Sequence, residues 1–307
     1  MVRLIAVVLV ASSVSAIDYL GGWVEPAHKQ CVDICKNSNP KPGCFNPADD
    51  CHTKLQRPGD YDYMVFDQIY APQFCRDLDN GVDSMITHQN VNKYPNGIKC
   101  EGVVKSELFV HGLWPNYNAG YPGCCNVTDT IPNKPFDAST FATKYPELFK
   151  DMSEQWIDPA VGNSTERLCQ GYNHEFQKHG ICFGAFGADY DRAAHQYFRA
   201  TLDVKSRLDA ASTKIALWAT EAATNVTIND IQALYSKKVN VLCSVVPGEL
   251  PNRIVAVRTC WAKAVPKDNC GEALLVAGET QDCAGALSTT CDAALPLDFS
   301  SYAPPAY

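Results

Sequence analysis

Two short segments of this 307-residue chain combine residue types that can move protons and hold a charged group. Their polar and aromatic candidates are His111, Trp114, His174, Glu175, Lys178 and His179. Imidazoles accept and donate protons near neutral pH, and a lysine supplies a cationic donor for phosphate. This inventory is typical of a site that splits a phosphodiester.

The spacing of the second segment, residues 174–182, fits a helix. At about 100° per residue, His174, Glu175, Lys178 and His179 fall on one side, and Phe176 points away from them. The pattern predicts a polar face at a site and an aromatic side chain in a core. An ordinary surface helix with i,i+4 contacts from His174 to Lys178 and from Glu175 to His179 explains the same residues. This segment alone leaves both interpretations open.

A zinc protease site is a further alternative, because a His-Glu pair also begins the motif H-E-x-x-H. That motif needs its histidines four residues apart so that both reach one metal. Here His179 follows His174 at five residues, and Lys178 would place a cation beside the metal. The spacing disfavours zinc, and we expect neither a metal nor another cofactor.

The first segment, residues 108–115, reads as a strand that stops early. Phe109 and Val110 favour a strand, and Gly112 and Pro115 are expected to end it, which would place His111 at the end of the strand, facing a cleft. Trp114 offers a flat ring for stacking a base, a contact that contributes about 1–3 kcal/mol where it has been measured. A histidine beside a tryptophan is also common in plain packing.

Taken together, the two segments resemble a known family. HGLWPN at residues 111–116 and HEFQKHGIC at residues 174–182 are similar to the two active-site segments of the ribonuclease T2 family, which usually read HGLWP and HEWEKHGTC. Phe176 replaces the family's Trp, and Gln177 replaces its Glu. Two matches in the right order are far more specific than either alone. The resemblance covers roughly residues 61–283.

The resemblance implies a metal-independent endoribonuclease that cleaves single-stranded RNA with low base specificity. The ribose 2′-hydroxyl attacks the neighbouring phosphate, which gives a 2′,3′-cyclic phosphate and then 3′-phosphate ends. The reaction needs a base, an acid and cationic donors for the phosphate. By the resemblance, His111 is the proton donor and His179 the proton acceptor, Glu175 and Lys178 surround the phosphate, and the substrate is held by His174, Trp114 and Asn116. Asn116 stands where the family often has Asp, so base preference stays open.

The chain is acidic, with a formal net charge of −8, whereas proteins that bind nucleic acids are usually basic. A ribonuclease that samples single strands does not need tight binding, and many carboxylates lose their charge at low pH. We therefore predict an acidic pH optimum, which also keeps one histidine protonated.

A second class of function uses the same fold without catalysis, as a binding, storage or defence protein. Loss of catalysis should leave a substituted histidine in one of the two segments, and none is substituted. The sequence therefore favours the enzyme.

The resemblance also implies an α+β fold, with helices packed on a mainly antiparallel, disulfide-rich sheet. Residue patterns predict strands over residues 61–70, 108–110, 239–243 and 254–260. Amphipathic spacing predicts helices over residues 136–156 and 189–208.

Four regions follow along the chain. Residues 1–16 read as a secretory signal peptide, residues 17–60 as a Cys-rich extension, residues 61–285 as the catalytic domain and residues 286–307 as a loosely ordered tail. The signal and the cysteines predict a protein that is secreted or held in a vacuolar or lysosomal lumen. We also expect a monomer. N-glycan sequons lie at Asn126, Asn163 and Asn225.

The fifteen cysteines are an odd number, so at least one is free or bonded to another molecule. Connectivity does not follow from spacing. The resemblance implies that Cys182 pairs with Cys124 or Cys125. It also favours the pairs Cys260–Cys270 and Cys243–Cys283.

Overall fold

The structure is a computed structural model of the chain. It describes residues 21–302, apart from residues 26–28, 38–40, 47–49, 86, 89–90, 94–96, 101–103, 186, 247–251, 265–276 and 284–289. The predicted signal peptide therefore lies outside the described residues, as does Cys270.

Antiparallel strands form the centre of the fold, as the α+β prediction requires. The strands are β1 Gly43–Cys44, β2 Tyr63–Tyr70, β3 Leu108–Asn116, β4 Gly120–Tyr121, β5 Asn240–Cys243, β6 Ile254–Lys263 and β7 Ala277–Gln281. The main sheet has the order β3-β2-β6-β5, and β7 pairs with the far end of β6. A separate two-stranded sheet joins β1 to β4.

Helices pack against both faces of the main sheet. They are α1 Ala71–Asp79, α2 Ala138–Lys144, α3 Pro146–Gln155, α4 Ser164–Arg167, α5 Ile181–Phe183, α6 Tyr190–Arg207, α7 Asp209–Thr220 and α8 Ile228–Gln232. Helix α1 lies on the face that carries Ile69, and α2, α3 and α6 lie on the face that carries Met64 and Phe66. Two π-helical segments, Leu168–Tyr172 and Glu175–Gly180, lie between α4 and α5, and short 3-10 turns occur at Asp50–Thr53 and Val91–Lys93. Within the described residues, no helix has the length and apolar character needed to cross a bilayer.

The main core lies between the sheet and α2, α3 and α6. Met64 and Phe66 of β2 project into it with aromatic side chains from the helices. The rings of Phe136, Phe141 and Phe198 meet edge to face with centroids 5.1–5.8 Å apart, a favoured geometry for aromatic pairs. This core fixes the distance between the sheet and the helices.

Three of the four predicted strands and the second predicted helix are confirmed with small changes at their ends. The prediction of one helix over residues 136–156 was wrong in one respect. The segment forms two helices, α2 and α3, with a break at Tyr145. Pro146 follows this residue and disfavours the α conformation there, and Tyr145 has φ −128° and ψ 57°. The strand predicted to stop after Val110 instead runs to Asn116. Pro115 is tolerated because β3 is the edge strand of the sheet.

Seven disulfides hold the described chain together. The pair Cys125–Cys182 confirms one of the two predicted alternatives. The two predictions for the C-terminal region were wrong, because the bonds are Cys260–Cys283 and Cys243–Cys291. The pairing of β6 with β7 places Gln281 opposite Cys260, which brings Cys283 to a Cα–Cα distance of 5.1 Å from Cys260.

The Cys-rich extension packs against the region that follows it. Cys31 and Cys35 are bonded to Cys169 and Cys124, and Cys44 closes a short loop with Cys51. Cys31 is buried in the main core. The extension is therefore tied covalently to Cys169 of the first π-helix and to Cys124, whose backbone N–H donates to the Lys178 carbonyl in the second.

The described part of the C-terminal segment, residues 290–302, also packs, in contrast to the predicted loose tail. Leu297 is buried among α7, α8 and β5. The Tyr70 hydroxyl donates to the Ser300 carbonyl, and the Ser300 hydroxyl donates to Gln73. The C-terminal segment therefore packs against β2 and α1.

Candidate active site

A β-bulge positions the first motif. In the pairing of β2 with β3, Asp67 faces Gly112 and Gln68 faces Val110, so His111 is the extra residue. Side chains alternate along a regular strand, and His111 and Trp114, three residues apart, would point to opposite faces. The bulge shifts this phase by one residue. His111 and Trp114 therefore lie on the same face, while Val110 and Leu113 both enter the core.

The predicted position of His111 at a strand end was wrong, since it lies inside β3. The predicted exposure to a cleft is nevertheless achieved, because the bulge turns the side chain out of the regular alternation. Trp156 Nε1–H donates to the His111 carbonyl at 3.1 Å. This bond holds the bulged backbone against α3.

The second motif is helical as predicted, but it winds as a π-helix over Glu175–Gly180. In a π-helix the hydrogen bonds join residues five apart, and such turns are frequent at functional sites. His174 and His179 are five residues apart, and their ring centroids lie 6.1 Å from each other. Phe176 is fully buried in the main core. The segment therefore has the polar face and the core face that its sequence predicted.

All seven predicted site residues line one cleft of about 280 Å³ between the sheet and the second π-helix. They are His111, Trp114, Asn116, His174, Glu175, Lys178 and His179. The two motifs therefore form one site, although they are far apart in the sequence.

Trp114 lies at the centre of this site. Its Nε1–H donates to Glu175 Oε2 at 2.8 Å, which fixes the carboxylate. The ring packs edge-on against His111 at a centroid distance of 4.8 Å and tilts against His179 at 5.5 Å. Both imidazoles thus contact one indole and line the same cleft.

His111 is held by a buried carboxylate. Its Nδ1–H donates to Asp67 Oδ2 at 2.8 Å, and its Nε2 lies 3.9 Å from Glu175 Oε1. Burial lowers the pKa of His111, but the hydrogen bond and charge of Asp67 and the charge of Glu175 outweigh it and raise the pKa above its usual value. His111 is thus stabilised as the imidazolium.

His179 has the opposite environment. Burial lowers its pKa well below the usual value, and the charges of Lys178, His174 and His111 lower it further. Its Nδ1 is buried and has no hydrogen-bond partner among the described residues. His179 is therefore stabilised as the neutral imidazole, which can accept a proton.

Glu175 and Lys178, three residues apart on the second π-helix, influence each other's pKa. Burial raises the pKa of Glu175 despite the charges of His111 and Lys178 and the Trp114 hydrogen bond. Burial also lowers the pKa of Lys178, and the Glu175 charge opposes this. Two partly desolvated groups of opposite charge thus border the space between the histidines.

Asn116 lies at the end of β3, where its side-chain amide donates to the Trp114 carbonyl at 2.9 Å. This bond orients the amide at the edge of the cleft. His174 lines the cleft on the side of the second π-helix, together with Lys178.

The sequence motifs missed four residues that border or support the cleft. Arg258 of β6 and Tyr121 of β4 line it, and Phe45 reaches it from the Cys-rich extension, 6.3 Å from the Tyr121 ring. Asp67 does not line the cleft but holds His111 by a hydrogen bond. Asp67 and Arg258 could have been noticed as charges inside apolar strands, but nothing in the sequence connects Phe45 to the site.

Among the residues that the structure describes, no group of three or more His, Cys, Asp and Glu side chains could hold a metal ion. The zinc alternative therefore has no ligand set in that part of the chain. The cleft instead combines histidines of opposite pKa shift with a lysine and an arginine.

Comparisons with known proteins agree with the motifs. Residues 61–270 match the model of the ribonuclease T2 family, which is more than half of the chain. Extracellular ribonuclease LE of Solanum lycopersicum is 28% identical over 163 residues, which cover 53% of this chain and 58% of that protein. Ribonuclease 1 of Arabidopsis thaliana is 28% identical over 149 residues, which cover 48% and 51%.

The chain thus spans just over half the length of these curated relatives. A crystal structure of RNase NT in complex with 5′-AMP superposes with a TM-score of 0.48 at 18% identity, and covers 80% of this chain and 99% of that one. The family match covers both motifs and the strands that carry them. On this match, the chain belongs to the ribonuclease T2 family.

Proposed function

We propose that this protein is an endoribonuclease that cleaves single-stranded RNA by attack of the ribose 2′-hydroxyl, without a metal or cofactor. The observation that carries the proposal is the placement of His111 and His179 in one cleft, each in contact with Trp114. Their different surroundings favour different protonation states. A base and an acid in one cleft are the pair that this reaction needs.

In the proposed first step, neutral His179 takes the proton of the 2′-hydroxyl as its oxygen attacks phosphorus. The bond from phosphorus to the 5′-oxygen breaks, and protonated His111 gives its Nε2 proton to the leaving oxygen. Lys178, Glu175 and His174 border the phosphate, where Lys178 and His174 stabilise the negative charge that develops on it. The product is a 2′,3′-cyclic phosphate.

In the second step the two histidines exchange roles. Neutral His111 now accepts a proton from water, which attacks the cyclic phosphate, and protonated His179 gives a proton to the departing 2′-oxygen. The product has a 3′-phosphate end. Trp114 and Asn116 are proposed to contact a base, and Asn116 can both donate and accept hydrogen bonds, which supports low base specificity.

The proposed pH optimum is acidic. Activity requires neutral His179, whose pKa lies well below 6.5, so the base remains available at low pH. It also requires protonated His111, whose pKa lies above 6.5, so activity falls when this group loses its proton. Low pH in addition reduces the repulsion between RNA and a chain of net charge −8.

We further propose a monomer that folds in the secretory pathway. Seven disulfides fit an oxidising compartment. The sequon residues Asn126, Asn163 and Asn225 are exposed, as glycan attachment requires. Curated relatives include an extracellular and an intracellular ribonuclease of Solanum lycopersicum, so secretion and a vacuolar or lysosomal lumen are both compatible with the family.

The test is cleavage of a labelled RNA in excess EDTA at about pH 5, below the ordinary pKa of histidine. The parent should give a cyclic phosphate, and His111→Ala and His179→Ala should each lose about 10²–10⁴-fold in rate. His195→Ala is the matched control, because this histidine packs on Tyr145 outside the cleft. A DNA strand of the same sequence should remain intact, since it lacks the 2′-hydroxyl.

Absence of cleavage by folded parent protein would overturn the proposal. The alternative would then be a binding, storage or defence protein that retains the cleft. Cleavage that EDTA abolishes would instead require a metal-dependent mechanism.

A further inference from the structure

Two charged residues face each other in the middle of otherwise apolar strands. Asp67 of β2 is fully buried, and Arg258 of β6 is its direct cross-strand partner. Arg258 Nε–H donates to Asp67 Oδ1 at 2.9 Å. The other carboxylate oxygen, Oδ2, accepts the hydrogen bond from His111 Nδ1 at 2.8 Å. Each oxygen of Asp67 therefore has its own donor.

A buried carboxylate is costly unless it is paired and hydrogen-bonded. Arg258 supplies the pairing charge, and it lowers the pKa of Asp67 against the effect of burial, with help from His111. Asp67 has no exposed surface and cannot touch RNA directly. The charge of Asp67 acts on the reaction through the two groups that it holds, His111 and Arg258, and of these His111 is the proposed acid.

We propose that Asp67, held by Arg258, is a positioning residue that fixes the tautomer and orientation of His111. This role rests on the proposed function. The hydrogen bond from Nδ1 leaves Nε2 as the atom that faces the cleft, 3.9 Å from Glu175 Oε1. When Nε2 gives its proton to the 5′-oxygen, the neutral ring keeps the Nδ1 proton on Asp67. The ring is thus ready to accept a proton at Nε2 in the second step.

Several charged groups surround His111, and their signs determine what a substitution does. Asp67 and Glu175 raise the pKa of His111, whereas burial and Arg258 lower it. Other charged or titratable groups near it are Asp158, Arg167 and Tyr172, which line a small cavity beside it, and Lys178, His174 and His179 in the cleft. Loss of Asp67 should therefore lower the pKa of His111, and loss of Arg258 should raise it.

The experiment measures kcat/KM on a dinucleotide RNA across pH for the parent, Asp67→Asn and Arg258→Gln. The alkaline limb of the kcat/KM profile reports the pKa of His111 in the free enzyme. Asp67→Asn should move this limb to lower pH and reduce kcat by about 10–100-fold, part of the ~10²–10⁴-fold that general acid catalysis supplies. Arg258→Gln should move the limb to higher pH.

Asp77→Asn is the matched control. Asp77 is also a fully buried carboxylate, but its partners are the neutral side chains of Gln73, Ser84 and Ser244. The Asp77→Asn variant should be less stable than the parent, but the alkaline limb of its pH profile should not shift. If Asp67→Asn gives the same unshifted limb as Asp77→Asn, the role is only structural and the proposal fails. If Asp67→Asn does not fold, an unshifted or lowered limb in Arg258→Gln refutes it equally well.

A second readout separates this inference from the proposed function. NMR titration of the His111 Cε1–H signal follows its protonation without any substrate. If the parent does not cleave RNA, the proposed function fails, whereas a lower His111 pKa in Asp67→Asn than in the parent still supports the positioning role. An unchanged His111 titration would overturn the inference even in an active enzyme.

Discussion

Gly112 lies where three parts of the site meet, and its replacement by alanine tests the geometry directly. A Cβ at this position would lie 2.9 Å from Glu175 Cδ and inside van der Waals contact with Glu175 Oε2 and Trp114 Nε1. The backbone itself would accept alanine, because Gly112 is a strand residue without a positive φ. The effect should therefore come from the contact alone.

The expected size follows from the distances. Carbon atoms pack at about 3.5–4.0 Å, so the Glu175 carboxylate carbon, now 2.9 Å away, must retreat by about 0.6–1.1 Å. A displacement of about 1 Å can cost about 100-fold in rate. We therefore expect kcat to fall by about 100-fold, or about 2.7 kcal/mol in activation free energy. Overpacking should also lower the free energy of unfolding by about 1–3 kcal/mol.

The assay is steady-state RNA cleavage with thermal unfolding of the same samples. Gly171→Ala is the matched control, because a Cβ on this helical residue meets nothing within 4 Å. It should keep both the activity and the stability of the parent. A folded Gly112→Ala variant with the activity of the control would refute the proposed dependence on the position of Glu175.

Three further predictions follow from single contacts. Trp114→Phe keeps a ring in contact with the histidines but loses the hydrogen bond to Glu175 Oε2, so kcat should fall by about 10-fold in the RNA assay with little change in circular dichroism. The ion pair of Asp67 with His111 should stabilise the fold most between about pH 4 and 6.5. The folded pKa of Asp67 is lowered, so its contribution is lost as the pH falls through that value, and the pKa of His111 is raised, so its contribution is lost as the pH rises through it. The difference in unfolding temperature between parent and Asp67→Asn should accordingly be larger at about pH 5 than at about pH 8, and an equal difference would contradict the pairing. Replacing Cys35 and Cys124 by serine should lower the free energy of unfolding by about 2–4 kcal/mol, since their bond closes a long loop, and chemical denaturation measures it.

Much of the site could be predicted because its residues lie in two contiguous motifs. The order of residues in each motif, together with the apolar strands around them, was enough to place all seven side chains in one cleft. The exact path of the backbone could not be predicted. Whether a strand contains a bulge depends on its pairing with a neighbour, and the bulge at His111 appears only when β2 and β3 are aligned.

The π-helical winding of the second motif could not be predicted from the sequence either. Residue types do not distinguish a π-helix from an α-helix, because the choice depends on how the segment packs between β3 and α6. Asp67 and Arg258 carried a signal of a different kind, as each is a charge inside an apolar strand. A buried charge requires a partner, but only the register of β2 and β6 identifies it. The pairing of Cys260 with Cys283 likewise could not be predicted, because it depends on where β7 pairs with β6.

The disulfides between the Cys-rich extension and the region around the second motif make the proposed activity depend on the redox state of the compartment. Gln177, within the second π-helix, donates to Asp33 and accepts from the backbone of Ile34, and the neighbouring Cys31 and Cys35 join the extension to Cys169 and Cys124. In the reducing cytosol these disulfides do not form, and the extension loses its covalent attachment beside this helix. On the proposed function, we therefore expect a copy that folds in the cytosol to cleave RNA more slowly than the oxidised protein.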